Sequence, residues 1–168
     1  LIVGSGGREH AIAWKISKSK RVSRIYCAPG NPGMAELGKC VNIDSDDIKS
    51  LLQFAKEKKI GLTIVGPEDP LTAGIVDKFQ ADNLKVFGPD QKAALLEGSK
   101  TFSKDLMRKH GIPTAEYRVF DDYDTAISYL NNAKIPIVVK ADGLAKGKGV
   151  FVCKTEEEAM NAVNLIMK

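Results

Sequence analysis

Residues 136–153 read PIVVKADGLAKGKGVFVC, and the fold of the chain's second half turns on them. The apolar run Ile137-Val138-Val139 ends in Lys140. Further on come the seven residues Gly143 to Gly149, with glycines at 143, 147 and 149 and Lys146 and Lys148 between them, and a second apolar run begins at Val150. This is the pattern of a strand, a glycine-rich loop and a second strand, with a lysine on the first strand. Glycines let backbone N–H groups close on a polyphosphate, and lysines oppose its charge. A phosphate-bearing ligand such as ATP is the expected occupant. A bare hairpin with solvated lysines is the competing reading, but a two-residue turn would serve for that. A P-loop is excluded. The gap from Gly143 to Gly147-Lys148 is one residue short, Gly149 stands where the hydroxyl belongs, and a strand follows instead of a helix. The arrangement is closer to the loop that covers ATP in kinases, whose lysine lies on a neighbouring strand.

Working outward, residues 1 to 90 alternate strand-like and helix-like runs. Leu1–Val3, Arg24–Ala28, Val41–Ile43, Leu62–Val65 and Lys85–Phe87 read as strands. Arg8–Lys18, a segment capped by Ser45 with Ile48, Leu51, Leu52 and Ala55 at helical spacing, and Leu71–Gln80 read as helices. The series predicts a Rossmann-like parallel sheet with helices on both faces. Beyond it the rhythm changes. Asp90–Glu97 and Ser99–His110 read as consecutive helices, Glu116–Phe120 as a strand and Asp124–Ala133 as a helix. Thr155 then caps a last helix that opens on Glu156, Glu157 and Glu158. We expect an α/β chain with a parallel sheet domain over 1–90, a helical linker over 91–113 and a glycine-loop subdomain over 114–168. The strands of that subdomain have too few partners for a sheet with a buried face, and the chain opens in mid-strand at Leu1. Both features lead us to expect a longer protein.

Composition narrows the function class. The chain has 168 residues, 43% hydrophobic and 27% charged, with a net charge of +4. That charge is too small and too dispersed to argue for nucleic acid. No apolar run approaches membrane-spanning length. Cys27, Cys40 and Cys153 form no C-x-x-C pair, and an odd count without spacing suggests a reducing, cytoplasmic setting.

Ligands in such sheets bind beyond the carboxyl ends of the strands. Gly4-Ser5-Gly6-Gly7-Arg8-Glu9-His10 stands at one such end and approaches the dinucleotide fingerprint, but Glu9 occupies its third glycine position. No Asp or Glu lies between Glu9 and Glu36, where that fingerprint wants an acid. An NAD site is therefore disfavoured. Gly6, Gly7 and Arg8 at a helix N-terminus still suit a single phosphate. Pro29–Gly33 and Gly66–Asp69 mark two further strand ends, and Glu68 and Asp69 suit ribose hydroxyls or an amine. Together the three turns suggest a phosphorylated sugar. Each also has a plain reading: Pro-Gly turns end strands, Arg8 and Glu9 decorate a first helical turn, and His10 is as readily a capping or core residue as a catalytic one.

Five motifs in register resemble one family. They are Gly4-Ser5-Gly6-Gly7-Arg8-Glu9-His10-Ala11, Pro29-Gly30-Asn31, Gly66-Pro67-Glu68, Leu96-Glu97-Gly98-Ser99-Lys100 and Lys140-Ala141-Asp142-Gly143-Leu144-Ala145. The family is the phosphoribosylamine–glycine ligases, ATP-grasp enzymes of de novo purine synthesis, and the resemblance runs along essentially the whole chain. Lys146 departs from it, standing where alanine is common. The resemblance implies a sheet domain followed by the first, incomplete part of an ATP-grasp domain. It implies ATP with Mg²⁺, the metal ligands lying in a later part of the family's longer chain. It also implies glycine and 5-phosphoribosylamine as small-molecule substrates, in a cytoplasmic enzyme with no nucleic acid or membrane partner. By similarity, Lys100, Lys140, Gly143, Lys146, Gly147, Lys148 and Gly149 face the nucleotide. Gly6, Gly7, Arg8, Glu9, Asn31, Gly66 and Glu68 face phosphoribosylamine. No side chain is expected to act as a nucleophile or metal ligand. A biotin carboxylase-like ATP-grasp ligase and a non-enzymatic nucleotide or sugar-phosphate module are the alternatives.

Overall fold

The computed structural model describes residues 1–143 and 149–168, in two compact units that divide after Gly98. In the first unit, β1 (Ile2–Gly4) leads through α1 (Gly7–Ser17) to β2 (Tyr26–Pro29). There follow α2 (Pro32–Ala35), β3 (Lys39–Cys40), α3 (Ile48–Glu57), β4 (Thr63–Val65), α4 (Glu68–Thr72), α5 (Ile75–Ala81), β5 (Val86–Phe87) and α6 (Gln91–Gly98). All five strands are parallel, in the order β3-β2-β1-β4-β5, with Ile2 opposite both Cys27 and Ile64.

Strand alternation builds two cores from one sheet. Ile2, Ile25 and Cys27 point to one side and pack with Ala13 of α1 and Met34 of α2. Val3, Tyr26, Ala28 and Val65 point to the other and pack with Leu51 of α3 and Ile75 and Phe79 of α5. A strand covered on both faces has no polar side, which is why β1 and β2 read as unbroken apolar runs. Each large side chain buried in this way contributes roughly 1.5–3 kcal/mol.

Several sequence expectations shift. Asp47, not Ser45, caps α3, its carboxylate accepting from the Ser50 amide at 3.1 Å. The third strand falls on Lys39–Cys40 instead of Val41–Ile43, because β2 offers pairing partners to those two residues. Leu71–Gln80 is not one helix: it parts at Gly74, whose φ of +82° only glycine adopts without strain, and the preceding turn is itself helical as α4.

The second unit contains α7 (Lys100–Lys109), α8 (Tyr123–Leu130), β6 (Ile137–Lys140), β7 (Val150–Cys153) and α9 (Glu156–Met167). β6 and β7 pair antiparallel, Ile137 with Cys153 and Lys140 with Val150. Contrary to the expectation, this small sheet does bury a face. Ile137, Val139, Phe151 and Cys153 pack on Ala126 and Leu130 of α8 and on Ala159, Ala162 and Val163 of α9. The opposite face carries Lys140 beside the exposed Val138, Val150 and Val152. Glu116–Phe120 is not a strand: it is largely exposed and has no ladder partner among the described residues, since β6 and β7 pair with each other. Thr155 caps α9 as the sequence indicates, accepting from the Glu158 amide at 3.2 Å.

Candidate functional site

The first site lies where the strand order of the first unit reverses. The chain runs outward from β1 to β2 and β3, then returns to place β4 on the other side of β1. The turns after β1 and β4 therefore diverge and leave a crevice at the carboxyl ends of these strands. Arg8, in the first turn of α1, spans it. Its Nη2 donates to Glu68 Oε2 at 3.0 Å, and its Nε donates to Glu9 Oε1 at 3.0 Å. Glu68 is half-exposed at the start of α4. The hydrogen bond from Arg8 holds its carboxyl below the usual carboxylate range, helped by the backbone N–H at the helix start. The bonds to Glu9 and then Glu68 raise the guanidinium further above its ordinary value.

Glu9 is turned inward, with only 3% of its surface exposed. It sits at the third position of α1 and reaches back so that Oε2 accepts the Gly6 amide at 2.7 Å, the carboxylate half of a capping box. Its space is walled by residues without side chains. A Cβ on Gly4 would lie 2.7 Å from Glu9 Cγ, on Gly6 2.9 Å from Oε2, and on Gly66 2.5 Å from both Cγ and Cδ. So Gly6, Gly7, Arg8, Glu9, Gly66 and Glu68 are brought together. Gly7 and Arg8 are exposed, and the Gly6 N–H is already bound. Asn31 joins them from the next turn: Nδ2 donates to Ser5 O at 2.8 Å, and Oδ1 accepts the Met34 amide, capping α2. A cavity of about 240 Å³ lies beside it, lined by Pro29, Gly30, Asn31, Pro32, Ala35 and Cys40. The proximity of Cys40 was not legible in the sequence, since it depends on the register of β3 against β2.

The second site is built at the open end of β6 and β7. The Ala141 amide donates to Gly149 O at 2.8 Å, closing the hairpin stem below the glycine loop, and Gly149 is buried. Lys100 Nζ donates to Gly143 O at 2.8 Å, so an ammonium group stands at the loop's entrance. Lys140 is exposed at the end of β6. Lys146, Gly147 and Lys148 lie outside the described residues. Asp142 is the residue that sequence reasoning passed over, although its motif was visible. Its Oδ2 accepts the Ser99 hydroxyl at 3.0 Å and its Oδ1 the Thr101 amide at 3.2 Å, while Ser99 also caps α7. Burial opposes the Asp142 charge. The bonds from the Thr101 amide, the Ser99 hydroxyl and the Gly143 and Lys100 amides together outweigh it and hold the carboxyl below its ordinary range. Among the described residues, no three His, Cys, Asp or Glu side chains group to hold a metal ion, and no helix is long and apolar enough to cross a membrane.

Two sites are therefore present: a guanidinium held between two carboxylates at a strand-end crevice in the first unit, and lysines at the base of a glycine-rich segment in the second. Comparison with known proteins gives both a family. Residues 1–97 match the phosphoribosylglycinamide synthetase N domain, and residues 98–168 the ATP-grasp (A) domain of the same synthetase. The phosphoribosylamine–glycine ligase of Caldanaerobacter subterraneus is 53% identical over 168 residues, all of this chain and 40% of that protein. The chain thus spans about 40% of the length of the curated relatives it matches. The crystal structure of phosphoribosylamine–glycine ligase from Thermotoga maritima superposes with a TM-score of 0.72 at 33% identity, over 95% of this chain and 37% of that one. The biotin carboxylase domain of Hydrogenobacter thermophilus 2-oxoglutarate carboxylase, solved with MgADP and bicarbonate, superposes with a TM-score of 0.77 at 18% identity, over 97% of this chain and 40% of that one. That likeness shows the fold alone, and sequence identity separates the two branches where shape does not. With both of its units matched in order and its fold an α/β parallel sheet followed by ATP-grasp elements, the chain belongs to the phosphoribosylglycinamide synthetase family.

Proposed function

We propose that this chain is part of an ATP-dependent ligase that joins glycine to 5-phosphoribosylamine. ATP phosphorylates the glycine carboxylate, giving glycyl phosphate and ADP. The amine of 5-phosphoribosylamine attacks the acyl carbon, phosphate leaves and an amide forms. No protein nucleophile is needed, so the work of the chain is positioning and charge neutralisation. Lys100 and Lys140 oppose the nucleotide's phosphates, with Gly143, Lys146, Gly147, Lys148 and Gly149 forming the loop over them. Gly6, Gly7, Arg8, Asn31, Gly66 and Glu68 hold the phosphorylated sugar, with Glu9 beneath them. Mg²⁺ accompanies ATP, its ligands outside the described residues. The setting is cytoplasmic, and the partners are small molecules.

The observation that carries this reading is the Lys100–Gly143 bond, which sets an ammonium group at the entrance of a glycine loop. The test is ADP release by a chain of full family length. Freshly made phosphoribosylamine with glycine is compared with bicarbonate and biotin. Release that requires both glycine and phosphoribosylamine supports the ligase; release only with bicarbonate and biotin, or with neither pair, refutes it. Lys140→Ala is expected to weaken ATP use without lowering the melting temperature, and unchanged kinetics would remove that lysine from the site.

A further inference from the structure

Glu9 stands among the residues expected at the substrate, yet its carboxylate does not reach the surface. We propose that Glu9 is a positioning residue that aims Arg8 at the anionic group of the phosphorylated sugar, acting through the guanidinium without touching the ligand. The inference rests on the ligase reading above. Its physical basis is the placement of an internal anion at the N-terminus of α1, the point where a helix otherwise attracts an external one. Oε2 takes the Gly6 amide that a bound phosphate would use, and Oε1 takes the Nε of Arg8. Neighbouring residues on a helix diverge by about 100°, so an Arg8–Glu9 bond forms only because Glu9 folds back beneath the turn. With Nε and Nη2 committed to Glu9 and Glu68, the guanidinium plane is fixed by its neighbour in sequence and by a carboxylate 60 residues away from it. The Arg8 Nη1 makes no hydrogen bond among the described residues, and the side chain is 61% exposed. The remaining donor edge therefore faces out of the crevice in one orientation, suited to a phosphate monoester. The three glycines around Glu9 have the same explanation: they make room for a buried carboxylate where the dinucleotide fingerprint keeps a third glycine.

The test is a kinetic double-mutant cycle in a chain of full family length. Glu9→Gln that still accepts from Gly6 through its carbonyl turns its NH₂ towards the Arg8 Nε, donor against donor. Its KM for phosphoribosylamine is expected to rise about tenfold or more, the loss of one charged hydrogen bond. KM for ATP and glycine should stay within about twofold, as Arg8 and Glu9 have no proposed part in holding either. Arg8→Ala should raise the same KM, and the double variant should match Arg8→Ala alone. Multiplying effects, an unchanged phosphoribosylamine KM, or equal rises for all three substrates would overturn the proposal. Should Glu9→Gln not fold, Arg8→Lys is the second variant. It keeps the charge but cannot bond both carboxylates through a fork, so it is expected to behave like Arg8→Ala; wild-type KM there would equally overturn the proposal. A wild-type chain that shows no dependence on phosphoribosylamine would instead refute the ligase reading itself, which separates the two failures.

Discussion

Replacing Gly66 by alanine puts a methyl group into the pocket of a buried carboxylate. The added Cβ would overlap Glu9 Oε1 and lie 2.5 Å from Cγ and Cδ, against an ordinary contact of 3.4 Å, so the side chain must withdraw by at least about 0.9 Å. Directed along the 2.7 Å bond from the Gly6 amide, a retreat of that size stretches it to about 3.6 Å, beyond hydrogen-bond range. A lost hydrogen bond to a buried charge costs about 1.5–3 kcal/mol, and overpacking adds about 1–3 kcal/mol. A total near 3 kcal/mol or above lowers the melting temperature of a unit of this size by roughly 12 °C or more. Gly7→Ala is the control. Nothing lies within 4 Å of its added Cβ, and the position opens a helix, so it should melt at or slightly above the parent temperature. Thermal unfolding followed by circular dichroism compares the two. Equal melting of Gly66→Ala and Gly7→Ala, or a Glu9→Ala/Gly66→Ala variant in which loss of the Glu9 side chain fails to relieve the added cost, would show that Glu9 does not fill the space beside Gly66.

Three further outcomes are expected. Asp142→Ala should free the Thr101 amide, giving about fivefold or faster hydrogen exchange there, the value of a hydrogen bond near 1 kcal/mol. Because the Asp142 carboxyl is held below its ordinary range, the staple it makes is present above about pH 3.9 and is lost as pH falls towards its lowered folded value; protection of Thr101 that survives full protonation would contradict this. Burial, with Cys40 nearby, pushes the Cys27 thiol up to about 11, so the folded state keeps a proton that the unfolded chain releases above about pH 8.5. Stability should fall between those values, by up to about 1.4 kcal/mol per pH unit, and urea titrations of Cys27→Ala should show that slope removed. Thr155→Ala should cost the second unit about 1 kcal/mol through loss of the α9 cap, read as a lower urea midpoint.

The periodic signals carried well from sequence to structure. Ile48, Leu51 and Ala55 fall on one buried face because a 3.6-residue period leaves little freedom, and Val150–Cys153 pairs with Ile137–Lys140 as the glycine loop between them required. What failed was decided by neighbours. Glu116–Phe120 has the composition of a strand, but a strand exists only when another offers a ladder. Ser45 has the chemistry of a cap, yet Asp47 lies one residue before the helix start and takes the role. The motifs at the site were visible, and their roles were only partly so. Glu9 looks like any first-turn acid until β4 brings Gly66 against it, and Asp142 becomes an anchor only when the start of α7 folds beside it.

The central place of β1 also bears on synthesis. Its neighbours are Cys27 on one side and Ile64 on the other, so the earliest of the five strands waits for the fourth to complete its pairing. At about 5–20 residues per second, that interval lasts on the order of several seconds on the ribosome. Throughout it, one edge of an entirely apolar strand has nothing to pair with, and the Glu9 carboxylate lacks the Gly66 wall that encloses it. The nascent chain therefore presents its sticky edge and its unfinished binding crevice together, and one event, the arrival of β4, closes both.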